Sequence, residues 1–397
     1  MEWRSAGGAS LNPVFARLPT TIFTVMSGLA AEHGAINLGQ GFPDWEGPED
    51  VRARAAEAVL HGSNQYPPMP GTPELRQAVA AHYRRFGGLE LDWSSQVLVT
   101  SGATEALAAS LLALVAPGDE VVLLEPAYDC YAPQVRAAGG VPRFVRLEPP
   151  DWRISREALD AAASERTRVL VLNNPLNPAA RVYGAQELQV LADWCASRDV
   201  VAVCDEVWEH LVFDGRTHTA LLSLPGMAER CVKIGSAGKI FSLTGWKVGF
   251  VCAAPPLVSV IAKAHQFLTF TTPPSLQAAV AYGLGKADPY FDEMRAHYAG
   301  QRDRLARGLE QEGFAVIPSQ GTYFLNIDLG ASGLIIDDES FCRRAVAEAG
   351  VAAIPVSAFY EQDPVRSVVR LCFAKRDETL DSGIERLSRA RRLFGGR

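Results

Sequence analysis

The strongest constraint on this chain is a series of short apolar segments, at 97–100, 121–124, 169–172, 200–204, 232–235 and 248–252, separated by longer stretches with helical periodicity. The segments are too short for helices and are bounded by Gly, Pro, Asn and Asp, so each reads as a β-strand. Strands that alternate with helices predict an α/β fold, a mostly parallel central sheet covered by helices on both faces. Sheets of this kind bind ligands beyond the carboxyl ends of their strands. Those ends are therefore where chemistry is to be sought.

At 397 residues the chain exceeds what one core usually serves, which predicts a division into parts. The expected division is an N-terminal arm with part of a small domain over 1–47, a large domain over 48–287 and a C-terminal small α+β domain over 288–397. The last begins where composition shifts to charged helices, 290–312 and 339–349, with strands at 322–327 and 368–372. The 48% hydrophobic content allows a sizeable core, and a net charge of −7 lacks the basic field a nucleic-acid partner requires. No apolar run reaches membrane-spanning length, and the N-terminus lacks a signal-peptide core. The seven cysteines form no Cys-x-x-Cys pair and have no histidine at zinc-finger spacing, so no metal is expected. They read as buried thiols of a cytoplasmic protein.

Between the segments 232–235 and 248–252 runs Gly-Ser-Ala-Gly-Lys-Ile-Phe-Ser-Leu-Thr-Gly-Trp-Lys-Val-Gly, 235–249. It places Lys239 on a Gly-rich excursion between two strands. A lysine among apolar neighbours has its charged form disfavoured, and its amine becomes a nucleophile able to condense with an aldehyde. The alternative is a surface-turn lysine. Thr100-Ser-Gly-Ala-Thr-Glu puts small residues where a strand hands over to a helix, and the free N–H groups there favour a phosphate. The same residues also make an ordinary helix cap. Asp205 closes the apolar segment 200–204, a costly place for a carboxylate without a cation, unless it caps a helix over 206–211. Arg370 interrupts the apolar strand 368–372 and needs an anion to fork onto.

Taken together, Ser-Ala-Gly-Lys followed by Thr-Gly-Trp-Lys-Val-Gly resembles the cofactor-lysine motif of class I aminotransferases, pyridoxal 5'-phosphate enzymes of fold type I. The likeness runs from about residue 18 to about 387. It is closest to the kynurenine, glutamine–phenylpyruvate and methionine aminotransferase branch. The resemblance implies that Lys239 carries the cofactor and that Asp205 pairs with its ring nitrogen. It implies a phosphate cup from Ser101, Gly102, Ala103, Thr104, Ser236 and Lys247, where relatives outside the branch carry arginine at the last position. Tyr128 would stack on the ring, although a core tyrosine is the alternative. Asn177 would bond the ring oxygen and orient substrate, Arg370 would clamp the substrate carboxylate, and Gly41 and Phe42 would line the entrance.

The family is dimeric, and the resemblance gives Tyr66 and Phe270 to the neighbouring subunit's site; Tyr66 otherwise reads as a turn tyrosine on prolines. Phe23, Tyr128, Phe359 and Phe270 would favour a large uncharged side chain, methionine-like or aromatic. The implied reaction is transfer of an amino group to a 2-oxo acid by a ping-pong mechanism, with no nucleic-acid or membrane partner. A cysteine-conjugate β-lyase would share the same residues. A non-catalytic regulatory module is a third reading, disfavoured because about seventeen residues precede the match, too few for a helix-turn-helix unit.

Two departures from the family pattern stand out. Trp208 occupies a position where relatives carry a tyrosine whose hydroxyl bonds the cofactor's ring oxygen. Ala179-Ala180 follows Pro178 where relatives carry Thr-Gly or Ser-Gly.

Overall fold

The computed structural model describes residues 11–395, so the part of the N-terminal arm before residue 11 lies outside the described residues. The strands are β1 (Ile36–Asn37), β2 (Val97–Thr100), β3 (Glu120–Glu125), β4 (Val141–Arg146), β5 (Thr167–Asn173), β6 (Val201–Asp205) and β7 (Cys231–Ser236). They continue with β8 (Gly249–Cys252), β9 (Ala315–Ile317), β10 (Phe324–Asp328), β11 (Val351–Ala352), β12 (Ile354–Pro355) and β13 (Val368–Cys372).

Seven of these make the central sheet, in the order β2-β8-β7-β6-β5-β3-β4. Strand β8 runs antiparallel to both neighbours, and all the other pairs are parallel. The α/β fold with a mostly parallel sheet is therefore as the sequence predicts. Strand β4 has no counterpart in the sequence reading. Its Val-Pro-Arg-Phe-Val-Arg breaks the apolar pattern with a proline and two arginines, residues that edge strands tolerate because one side needs no partner.

Alternation along the strands feeds two cores. Val169, Val171, Val203 and Val232 join Leu107, Leu111 and Ile261 from helices Gly102–Leu114 and Pro255–Leu268 on one face. Leu170, Leu172 and Ala202 join Val79, Tyr83, Leu188 and Trp194 on the other. Burial on both faces is why these strands carry so few polar residues.

A four-stranded antiparallel sheet, β12-β13-β10-β9, packs with helices Asp288–Gln311 and Asp377–Phe394 around a separate core that includes Leu325, Ile327, Val369 and Leu371. The N-terminal β1 pairs in parallel with β11, so the segment around residue 36 runs beside the C-terminal part of the chain. This brings residues 38–44 against β10 and β13, since the Cys372 N–H donates to Leu38 O at 2.7 Å. The helix expected over 339–349 is an α-helix Asp338–Arg344 continued by a π-turn Ala345–Ala349. Among the described residues, no helix is long and apolar enough to cross a membrane. All seven cysteines are free thiols; six are buried, whereas Cys130, also expected buried, is only half-buried.

Candidate active site

The strands β2, β3, β5, β6 and β7 all end at one edge of the sheet, and each delivers polar groups there. A cavity of about 420 Å³ opens at this edge, between the sheet and the 322–324 and 370 region. It is lined by Gly41, Gly102, Ala103, Thr104, Tyr128, Asn177, Asp205, Trp208, Ser236, Lys239, Lys247, Phe23 and Arg370, all singled out from sequence.

Lys239 lies on one helical turn, Ala237–Ile240, directly after β7, rather than on an open Gly-rich loop. Its amine is held down at about 8, chiefly by burial, with Asp205 opposing. The Nζ donates to the Tyr323 hydroxyl at 3.1 Å and sits 4.8 Å from the Trp208 ring centre. These surroundings do not fit a surface-turn lysine.

Asp205 ends β6 with its carboxylate buried, which pushes its pKa up against the opposing effect of a hydrogen bond from Tyr131. The Tyr131 hydroxyl donates to Oδ2 at 2.6 Å, and the Val207 N–H reaches Oδ1 at 3.4 Å. Residues 206–211 form turns and no helix, so the helix-cap reading of Asp205 falls away. Behind this loop, the buried Lys233 ammonium donates to Glu206 at 2.7 Å and Glu209 at 2.6 Å. Burial opposes the Glu209 charge, but Lys233 outweighs it and holds that carboxyl at about 2. Glu206, Glu209 and His218 stand close enough to ligate a metal, yet the lysine already supplies the cation.

The start of helix Gly102–Leu114 meets the start of β8 closely enough to exclude side chains. A Cβ on Gly249 would lie 2.7 Å from the Gly102 carbonyl carbon and 2.9 Å from the Ala103 nitrogen. Gly102 itself has φ +77°, and a Cβ there would sit 3.4 Å from Lys247 Nζ. Three groups suited to an anion, the helix N-terminus, Ser236 and Lys247, are thereby gathered in one cradle. Ser101 is set back from the cavity: its N–H donates to Glu105 at 3.0 Å, and its side chain makes no cap bond.

Arg370 is 1% exposed, and burial lowers its pKa to about 10. Its Nη1 donates to Asn177 Oδ1 at 2.8 Å and its Nη2 to Gly39 O at 2.9 Å, while Nε is buried without a partner. The guanidinium lies 3.9 Å from the Phe324 ring centre and makes no carboxylate pair among the described residues. Phe23 and Phe359 flank it at 5.2 and 5.4 Å with their rings 5.8 Å apart, although Phe359 does not line the cavity. Phe42 does not line the cavity either; its ring is half exposed under Lys375 Nζ. Tyr66 and Phe270 also stand away from the cavity, both exposed, with their rings 5.3 Å apart. This chain's own cavity does not use them.

Tyr131, Asn173, Tyr323, Phe324 and Asp129 were missed from the sequence. Asn173 holds the turn that presents Asn177: its Oδ1 accepts the Asn177 N–H at 2.7 Å and its Nδ2 donates to Asp205 O at 2.9 Å. A strand-ending asparagine four residues before another was the available signal.

The residues present fit pyridoxal phosphate: an anion cradle, an amine held near 8 and a buried carboxylate that lacks a cation all face one cavity.

Residues 33–387 match the family described as aminotransferase class I and II. A probable N-succinyldiaminopimelate aminotransferase of Mycobacterium tuberculosis is 44% identical over 380 residues, covering 93% of this chain and 96% of that protein. The methionine aminotransferase of Escherichia coli is 42% identical over 371 residues, covering 94% and 96%. The solved structure of N-succinyldiaminopimelate aminotransferase from Mycobacterium tuberculosis superposes with a TM-score of 0.92 at 44% identity, over 96% of this chain and all of that one.

Proposed function

This chain belongs to the family of class I and II aminotransferases, which work with pyridoxal 5'-phosphate, and we propose that it takes the amino group from a large uncharged L-amino acid. The acceptor in this reading is a 2-oxo acid, and the two substrates enter in turn, giving ping-pong kinetics. The observation that carries it is one cavity holding Lys239, Asp205, Lys247 and Arg370 together.

Each group has a separate task. Lys247, Ser236 and the N–H groups at the start of helix Gly102–Leu114 hold the phosphate. Asp205 supplies the negative charge that keeps the ring nitrogen protonated, and Tyr131 keeps that carboxylate aimed and ionised. When bound, pyridoxal phosphate supplies an aldehyde for the amino group and a ring that delocalises the electron pair left at the substrate Cα. Lys239, with a pKa near 8, is neutral often enough at neutral pH that its amine would serve as the nucleophile toward that aldehyde and as the base at the substrate Cα. Arg370 takes the substrate α-carboxylate, with Asn177 fixing its fork. Tyr128, in the cavity wall, would pack on the ring.

The preference for an uncharged side chain rests on a count of cations. Among the described residues the cavity is lined by Lys239, Lys247 and Arg370 and by no other lysine or arginine. With two assigned to the cofactor and one to the α-carboxylate, this chain's own wall leaves none for a distal carboxylate. Asp129, also in the wall, adds a negative charge that repels one. Phe23, Tyr128, Trp208 and Phe324 supply apolar walls, in keeping with the methionine-specific name of one relative. The same count disfavours N-succinyldiaminopimelate, which carries carboxylates beyond the α-position. The relatives' names favour transamination over β-elimination.

In this reading residues 48–287 hold the cofactor, while 1–47 supply an N-terminal arm and part of the small domain that 288–397 complete. Tyr66 and Phe270, exposed side by side, then serve a second copy of the chain in a homodimer. The test is a single-turnover screen, in which the loaded enzyme is mixed with one amino acid at a time and conversion to the pyridoxamine form is followed by absorbance. Methionine and phenylalanine are expected to convert well and aspartate and glutamate poorly. Faster conversion of the dicarboxylic amino acids or N-succinyldiaminopimelate would overturn the substrate class.

A further inference from the structure

Tyr323 stands just ahead of β10 and is 1% exposed, yet its hydroxyl reaches the reactive end of the cavity. That hydroxyl donates to the carbonyl oxygen of Gly41 and accepts from Lys239 Nζ at 3.1 Å. A phenol has a single hydrogen. Because the hydrogen goes to Gly41, the oxygen meets Lys239 as an acceptor only, and one of the lysine's own N–H bonds must point at it. The lone pair of the neutral amine is then left pointing elsewhere.

We propose that Tyr323 is a positioning residue for Lys239, fixing the direction of the free amine and tying it to the entrance segment at Gly41. This rests on the reading of Lys239 as the reactive lysine. The anchor on the tyrosine side is firm: Trp208 packs edge-on to its ring at 4.4 Å and Tyr298 stacks at 6.1 Å. Burial keeps the Tyr323 phenol protonated far above neutral pH, so the hydrogen committed to Gly41 is always present.

The entrance segment is fastened at its other end by Arg370, whose Nη2 donates to Gly39 O. Three consecutive residues, Gly39 to Gly41, thus join the carboxylate-binding arginine to the lysine. A side chain at Gly41 would break the join, since its Cβ would lie 2.9 Å from the Phe324 ring. A carboxylate arriving at Arg370 competes with the Gly39 carbonyl for the guanidinium.

The test uses Tyr323→Phe, which removes the oxygen and keeps the ring. In cofactor-free protein, the rate of Lys239 acylation against pH reports the amine's midpoint, about 8 in the parent. The groups facing Lys239 are Asp205, Lys247, Arg370 and the Cys372 thiol, and the substitution changes none of them. Losing an acceptor for the ammonium disfavours the charged form, so the midpoint should fall by roughly 0.5–1 pH unit. In loaded enzyme the single-turnover rate with methionine should fall roughly threefold to tenfold while methionine affinity stays within about twofold.

An unmoved midpoint or an unchanged rate overturns the proposal, as does a loss confined to affinity, which would make Tyr323 a support of the entrance alone. Should Tyr323→Phe not fold, 3-fluorotyrosine at the same position gives a weaker acceptor of the same shape. Its midpoint must move the same way. If borohydride traps the cofactor on a different lysine, the reading of Lys239 has failed and this proposal falls with it; an unmoved midpoint while Lys239 is the trapped lysine is a failure of this proposal alone.

Discussion

The Tyr131 hydroxyl donates to the Oδ2 of Asp205 across 2.6 Å, joining the helix Tyr131–Ala137 to the end of β6. Asp205 is otherwise a buried carboxylate whose charge is opposed by its surroundings, and this bond is the largest effect favouring the charge. Tyr131→Phe should therefore raise the Asp205 pKa and weaken its hold on a cationic ring nitrogen. A hydrogen bond to a charged group contributes about 1.5–3 kcal/mol, so cofactor affinity should drop roughly tenfold or more. Equilibrium titration of cofactor-free protein with pyridoxal phosphate measures it directly. Unchanged affinity would mean that Asp205 is held by other contacts.

Arg370→Ala should weaken binding of amino acids and leave cofactor binding nearly unchanged. The guanidinium's charge-assisted bonds to a carboxylate are worth about 1.5–3 kcal/mol, or roughly ten- to a hundredfold in amino-acid affinity. Single-turnover saturation with methionine measures this. Unaltered saturation would place the α-carboxylate elsewhere in the cavity.

Trp208 packs its indole against Lys239 and Tyr323 where the family pattern has a hydroxyl. If indole N–H does not reach the cofactor's ring oxygen, that oxygen lacks a donor and favours the protonated form of the lysine-bound cofactor. Trp208→Tyr should then lower the pH midpoint of the cofactor absorbance by about one to two units. A midpoint that stays or rises would show that indole already substitutes for the hydroxyl.

Ala180 has φ +58°, in the left-handed region where relatives place glycine. The Cβ costs about 1–2 kcal/mol there, against about 0.5–1 kcal/mol of extra chain entropy that glycine would lose on folding. Ala180→Gly should consequently stabilise the protein by about 0.5–1 kcal/mol, measured by urea denaturation. The Leu176 O and Ala180 O bonds of this turn use only backbone, so Asn177 should keep its place.

The architecture was legible because buried parallel strands have to be apolar on both faces, and the six runs mark six of the seven central strands. Strand β4 was not, since an edge strand can carry Pro142, Arg143 and Arg146 without cost. Asp205 and Arg370 stood out as charges at the end or middle of apolar strands, where burial demands a partner, and Lys239 as a lysine on a Gly-rich stretch between two of them. Tyr131 and Tyr323 carry no such signal: a tyrosine is at home in a core, and only the fold shows where its hydroxyl ends. Tyr131 had a partial clue in standing three residues after Tyr128, at the start of the helix Tyr131–Ala137. The pairing of Tyr323 with Gly41 and Lys239 joins three distant parts of the chain and could be found only in three dimensions.

The central claim is that Lys239 is the lysine that holds the cofactor. Borohydride reduction of the loaded enzyme, followed by peptide mapping, tests it without any assumption about substrate. The account predicts a single reduced pyridoxyl group, on Lys239, and its disappearance together with transamination in Lys239→Ala. A pyridoxyl group on any other lysine, or transamination at the parent rate in Lys239→Ala, would contradict it.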